Sequence, residues 1–121
     1  MPCRTVLVIP CYNEAARLHP ERFRAFLSTH PEASLLFVDD GSTDGTAEAL
    51  GGFEVLRLAR NRGKGEAVRQ GVLYCLSSGR APDYIGFLDA DLAVDPCEAA
   101  RLTEALEEEP AAWMACASRW R

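Results

Sequence analysis

The sequence predicts an α/β fold with a mostly parallel sheet and helices on both faces. Two observations carry this. Short β-branched or apolar runs alternate along the chain with helix-like segments, the pattern of parallel strands joined by right-handed crossovers. The unusual polar residues then fall just after each run, where an open parallel sheet binds its ligands. The 121 residues are 48% hydrophobic and 26% charged, an ordinary globular balance with room for a real core. Nothing marks an internal repeat, a linker or a second domain, so residues 1–121 are expected to form one domain.

The elements follow in order. Residues 5–9 are a buried strand bounded by Pro10. A helix is expected within residues 14–29, with Leu18, Phe23, Phe26 and Leu27 on one side. Residues 34–38 form a second buried strand closing on Asp39-Asp40-Gly41. Residues 43–50 suit a short helix ended by Gly51-Gly52, since glycine accepts the left-handed conformation at a helix end. Residues 53–58 are a third strand. Residues 64–77 give the clearest helix, with Ala67/Val68, Gly71/Val72 and Cys75/Leu76 on one apolar face, stopped by Ser78-Gly79. Residues 84–88 are a fourth strand. Asp95 caps the next helix, with Pro96 at its first position and Glu98 reaching back. Its inward residues are Ala99, Leu102, Ala105 and Leu106, and it ends near Glu109-Pro110. Residues 111–117 are expected to be a fifth strand.

Several classes of function are disfavoured. A net charge of −5 argues against nucleic-acid binding by general electrostatics. The five cysteines form no CxxC pair and read as small buried hydrophobes of a reducing compartment. His19 and His30 lack the spacing of a zinc site and sit near helix ends. No apolar run approaches the length of a membrane span, and the amino terminus does not read as a signal peptide, so the cytoplasm is the default location.

One sheet edge gathers Glu14, Asp39, Asp40, Asp89 and Asp91. Packed carboxylates repel unless a counter-charge separates them. Asp89 and Asp91, two apart in an extended segment after a buried strand, would face the same way and meet one ion. Hard oxygen ligands with room for water and phosphate suit Mg²⁺ or Mn²⁺, which would bridge a diphosphate. Taken alone, Asp-x-Asp mostly marks caps and turns; the buried strand before it and the second acidic pair raise it here. Residues 39–46 read either as a plain turn or as a ligand edge, where one or both of Asp39 and Asp40 would accept hydrogen bonds from a ribose or a base N–H. Asp44 reads as helix-start chemistry. Gly63-Lys64-Gly65 precedes a helix whose amino end favours an anion, with Lys64 and Arg62 adding charge; a plain strand-to-helix turn is an equal reading, and the spacing is not that of a Walker loop. Trp113 and Trp120 read as core or groove aromatics, Arg17, Arg22 and Arg24 as a solvated helix face, and residues 107–109 as solvated glutamates.

Four stretches in order, PCYNE, DDGSTDGT, NRGKGEAVRQG and LDADL, resemble the family 2 glycosyltransferases, inverting enzymes of the Rossmann-like GT-A fold. The likeness runs from Val6 to about Arg119 and is nearest in look to the polyprenyl-phosphate sugar transferases, the dolichyl-phosphate β-glucosyltransferases above all. It implies that Pro10, Tyr12 and Glu14 line the nucleotide pocket, that Asp39 meets the uracil or ribose with Asp40 nearby, and that Lys64 lies near the nucleotide. Asp89 and Asp91 become the Asp-x-Asp pair, with Asp91 the direct metal ligand. Arg119 matches the arginine of a Gly-Ser-Arg motif that meets donor or acceptor phosphate, although Ala117 replaces the glycine. The family pattern continues further, so the resemblance implies a donor-binding part whose acceptor site and catalytic base lie beyond residue 121. Such a part alone would turn over little. The implied partners are a uridine diphosphate sugar and a lipid-phosphate acceptor at the cytoplasmic face of a membrane. A non-catalytic nucleotide-sugar-binding module is the alternative. A nucleotidyltransferase ranks lower, because PCYNE is acidic where that class favours a glycine-rich basic loop.

Overall fold

The computed structural model describes residues 4–116. The chain runs β1 (Thr5–Cys11), α1 (Pro20–Thr29), β2 (Ala33–Asp39), α2 (Thr46–Ala49), β3 (Glu54–Arg57), α3 (Lys64–Ser77), β4 (Tyr84–Phe87) and α4 (Pro96–Glu108). The four strands form one sheet in the order β3-β2-β1-β4, and every pair is parallel. The chain steps outward from β1 to β3, then crosses back to place β4 on the other side of β1. That reversal puts the switch point between β1 and β4.

Right-handed crossovers in opposite directions must lie on opposite faces. The core divides accordingly. Leu7, Ile9, Cys11, Leu35 and Phe37 pack on one face with Phe23 and Phe26 of α1, Leu50 after α2 and Ala99 of α4. Val6, Val8, Leu36 and Val38 pack on the other with Ala67 and Cys75 of α3. Alternate residues of β1 and β2 thus feed two cores, which is why both strands read as unbroken apolar runs. On the first face Phe37 meets Phe23 and Phe53 edge-on, each at 5.1 Å between ring centres. Burying one such ring contributes about 2–3 kcal/mol. On the second face α3 lies close because Gly71 has no side chain; a Cβ there would come within 2.5 Å of Val8 Cγ1 and 2.9 Å of Val38 Cγ2.

The boundaries differ from expectation for physical reasons. The β1 strand runs two residues further, through Pro10 to Cys11. Leu88 N donates to Val8 O and Asp40 N to Cys11 O, so Val8 and Pro10 direct their backbone groups toward β4. The last β4 ladder partner is Phe87, opposite Val8, so Pro10 costs the ladder no bond. The first helix starts only at Pro20, a residue that suits a first helical position; residues 14–18 instead close a turn on Glu14 O. The α4 helix starts as expected, with Asp95 accepting from Cys97 N at 2.8 Å, but Glu98 pairs with Arg101 rather than reaching back.

Other expectations are corrected. Leu76 is exposed, because a four-residue spacing drifts off a 3.6-residue helix face; Ala105 is exposed too. Cys11 and Cys75 are buried as expected, whereas Cys97 and Cys116 are exposed. Residues 111–116 form no strand, and Trp113 is 97% exposed; Ala117 and Trp120 lie outside the described residues. Among the described residues no helix is long and apolar enough to cross a membrane.

Candidate functional site

The carboxyl ends of the strands open into a cleft of about 390 Å³ at the switch point, lined by Pro10, Tyr12, Glu14, Asp40, Lys64, Asp89 and Asp91, with Cys11, Asn61, Gly63 and Ala90 between them. Of the nine candidate residues, these seven are brought together here. Asp39 stands behind the cleft, and Arg119 lies outside the described residues. A smaller cavity of about 160 Å³ at the opposite sheet edge, between α1 and α4, collects none of them.

Two loops build one wall by exchanging hydrogen bonds. Asn13, at φ +51°, donates from its N–H to Ser42 Oγ at 2.9 Å and accepts from Thr43 N at 2.9 Å. Glu14 N donates to Thr46 Oγ1 at 2.9 Å, and Ala15 N to Asp44 Oδ2 at 3.2 Å. Asp44 also accepts from Thr46 N, so the expected helix-start role holds and a second, interloop role joins it. The Thr46 hydroxyl, which donates to Asp44, holds that carboxyl below its usual range. The PCYNE and DDGSTDGT stretches are therefore one structural unit. Residues about thirty positions apart carry these bonds, so a linear reading could not pair them.

Both carboxylates at the end of β2 serve the chain itself. Asp39, 1% exposed, accepts from Ser42 N at 3.0 Å and lies 3.7 Å from Arg57 Nε. Asp40, 3% exposed, accepts from Arg62 N and Gly63 N at 2.9 Å each and from Asn61 Nδ2 at 3.2 Å. For the N–H groups of Arg62 and Gly63, this favours the strand-to-helix turn over an anion-binding loop. The N–H groups of Arg62 and Gly63 point at a buried carboxylate of the protein, not at open solvent. Gly41 makes the approach possible: at φ +76° a Cβ there would lie 2.4 Å from Asn61 N and 2.5 Å from Arg60 C. The sequence marks Gly41 as a turn former and places Asn61 after the third strand, but does not show that the two meet. An Asp-Gly pair at a strand end was the available signal for Gly41.

The expected extended Asp-x-Asp segment is a turn instead. Leu92 N donates to Asp89 O at 3.3 Å, and Leu92 takes φ +59°. Asp91 Oδ1 accepts from Ala93 N at 2.9 Å, and Asp89 pairs with Lys64. Both carboxylates still line the cleft, because the turn, rather than strand alternation, aims them. Glu14 Oε2 is buried and receives no hydrogen bond, although Arg17 Nε lies 3.1 Å away at an unsuitable angle. Burial, then the fields of Asp39, Glu14, Asp44 and Asp40, push the Cys11 thiol up to about 12. That thiol donates to Val38 O at 3.5 Å and is structural.

The two carboxylates of the turn fit a hard divalent cation in one way only. Among the described residues no group of three or more His, Cys, Asp or Glu could hold a metal. Asp89 and Asp91 offer oxygens for part of a coordination shell, leaving the rest to water and a bound phosphate.

A parallel doubly wound sheet with an acidic, lysine-bearing cleft at its switch point defines a ligand-binding α/β protein. The fold is that of the GT-A glycosyltransferases. It overlays on the mannosyltransferase PcManGT of Pyrobaculum calidifontis, solved with GDP-Man and Mn²⁺, with TM-score 0.60 and 22% identity over 73% of this chain and 27% of that one. It overlays on residues 1–349 of S. aureus TarS with TM-score 0.59 and 18% identity, covering 88% and 33% of the two chains.

Residues 6–120 match the Glycosyl transferase family 2 model, and the chain belongs to that family. It is 31% identical over 113 residues to dolichol-phosphate mannosyltransferase of Saccharomyces cerevisiae, covering 84% of this chain and 40% of the relative. It is 32% identical over 124 residues to dolichyl-phosphate beta-glucosyltransferase of Drosophila melanogaster, covering 88% and 36%. Poly-beta-1,6-N-acetyl-D-glucosamine synthase of Staphylococcus epidermidis is 29% identical over 94 residues, covering 73% and 22%. The chain therefore spans well under half the length of each of these relatives.

Proposed function

We propose that this chain supplies the donor site of an inverting glycosyltransferase that takes a sugar from a nucleoside diphosphate and passes it to a polyprenyl phosphate. The convergence of Glu14, Lys64, Asp89 and Asp91 on one cleft at the switch point carries the reading. The family membership supports transfer chemistry, and the names of the dolichyl-phosphate relatives support the lipid-phosphate acceptor. A lipid acceptor would bring the protein to a membrane surface. The donor base is read as uracil, as the motifs imply.

The roles follow from the chemistry of each side chain. Tyr12, 43% exposed at the cleft, offers a face for the base. Pro10 lines the same cleft, and the Glu14 carboxylate, through the oxygen that does not pair with Arg17, is an acceptor for a ribose hydroxyl. Asp39 and Asp40 act through the loops they hold. Lys64 faces the diphosphate as a point charge. Arg119 is proposed for a phosphate contact from its motif alone. Asp91 and Asp89 would hold Mg²⁺ or Mn²⁺, which supplies charge to stabilise the departing diphosphate. The acceptor phosphate oxygen is already anionic, so attack from the far side of the anomeric carbon needs positioning more than a base.

Calorimetric titration of the chain with UDP, UDP-glucose, GDP and GDP-mannose, with and without Mn²⁺, tests the reading. Metal-dependent binding that Asp91→Ala weakens at least tenfold is expected. Nucleotide binding of unchanged strength in Asp91→Ala would remove the metal-bridged donor site. Tighter binding of GDP than UDP would replace the uracil assignment with guanine.

A further inference from the structure

We infer that Lys64 is an exchangeable counter-ion: it holds Asp89 until a divalent cation takes the carboxylate, and then moves to the diphosphate that arrives with the cation. This deepens the donor-site reading and rests on it.

Lys64 is the first residue of α3, where the helix dipole disfavours a cation. A lysine there needs a nearby anion, and Asp89 provides it from the turn after β4. The loop ahead of Lys64 is pinned, since Asp40 binds Asn61 Nδ2 and the N–H groups of Arg62 and Gly63. The lysine therefore starts from a fixed point, and only its flexible stem moves. Its pair with Asp89 is easily exchanged, because the side chains are 55% and 37% exposed and water screens them. Asp91, the other carboxylate of the turn, has no basic partner among the described residues and bonds only Ala93 N.

An ammonium and a divalent cation cannot both sit against Asp89 without repulsion. A cation binding alone must displace Lys64 and leave it without a partner. A diphosphate binding alone must approach Asp89 and Asp91. When both arrive together, the cation neutralises the carboxylates and the diphosphate receives Lys64. The exchange makes the two ligands bind cooperatively and keeps Asp89 paired while the site waits.

Mn²⁺ binding to the full chain, followed by electron paramagnetic resonance of free Mn²⁺, tests this without any turnover. Wild type, Lys64→Met, Lys64→Gln, Lys64→Arg and Asp89→Asn would be compared with Mn²⁺ alone and with added UDP or GDP. The lysine is half-exposed, so the neutral variants keep the fold, and circular dichroism verifies it. Without nucleotide, Lys64→Met and Lys64→Gln should bind Mn²⁺ roughly fivefold more tightly than wild type, while Lys64→Arg matches wild type. With nucleotide, that advantage should vanish or reverse. Equal or weaker Mn²⁺ binding by both neutral variants in the absence of nucleotide would overturn the exchange while leaving the donor site standing. If nucleotide raises Mn²⁺ binding in no protein and Asp89→Asn changes nothing, the donor-site reading falls and the exchange falls with it.

Discussion

Asp40→Asn separates a residue that builds the cleft from one that only lines it. The native carboxylate is almost fully buried and takes a bond from Arg62 N on Oδ1 and from Gly63 N and Asn61 Nδ2 on Oδ2. Asparagine keeps the shape but turns one oxygen into a donor. Its better orientation aims the new NH₂ at Arg62 N, keeps the two bonds to residues 61 and 63, and makes both neutral. One charge-assisted bond lost costs about 1.5–3 kcal/mol, and two weakened bonds add about 1 kcal/mol in total. Relief from burying a carboxylate near Asp39 offsets part of this, leaving a net loss of about 2–3 kcal/mol. At about 2.1 cal/mol/K of unfolding entropy per residue, each kcal/mol lowers Tm by about 4 °C, so a fall of about 8–12 °C is expected. Scanning calorimetry of the two proteins side by side measures it. A fall under about 2 °C would mean that Asp40 does not hold the loop, and the placing of Lys64 would need another cause.

Two further outcomes follow from titratable groups. The Arg80 hydrogen bond, aided by Tyr74, holds the Glu54 carboxyl below its usual 4.5. A depressed carboxyl contributes stability above its unfolded pKa and loses it as pH falls through the folded value, so Glu54→Gln should flatten the dependence of Tm on pH below about 4.5; an unchanged slope would refute the pair's role. Thiol labelling at pH 7.5 should modify the exposed Cys97 and Cys116 in the native chain and spare Cys11 and Cys75, which burial pushes up, Cys11 to about 12. Mass spectrometry of the labelled peptides reads it, and native labelling of Cys11 as fast as Cys116 would contradict the buried placement.

Much of the fold was legible because the two central parallel strands, buried on both faces, are almost wholly apolar, Val6 to Ile9 and Leu35 to Val38. Residues 5–9 and 34–38 could hardly be read as anything else. The shorter strands β3 and β4 are half-buried edge strands, with Phe87 60% exposed, and β4 is not the buried strand expected ahead of Asp89; both were still legible from their apolar centres. The fifth strand was not, because a strand also needs an edge to pair with, and residues 111–116 pair with none here. The polar edge was legible as a composition of strand ends, which topology then folds to one side of the sheet.

By itself, the sequence determined which residues gather at the cleft: Tyr12, Glu14, Asp40, Lys64, Asp89 and Asp91 follow strand ends, Pro10 lies in the last residues of β1, and parallel strands bring such ends together. What each carboxylate does was decided only by the tertiary structure. Asp40 turned inward to the loop of residues 61–63, Asp39 to Ser42 N, and Asp89 to Lys64, twenty-five positions away. A carboxylate accepts from whichever donor the fold brings within about 3 Å, and no spacing along the chain encodes that distance.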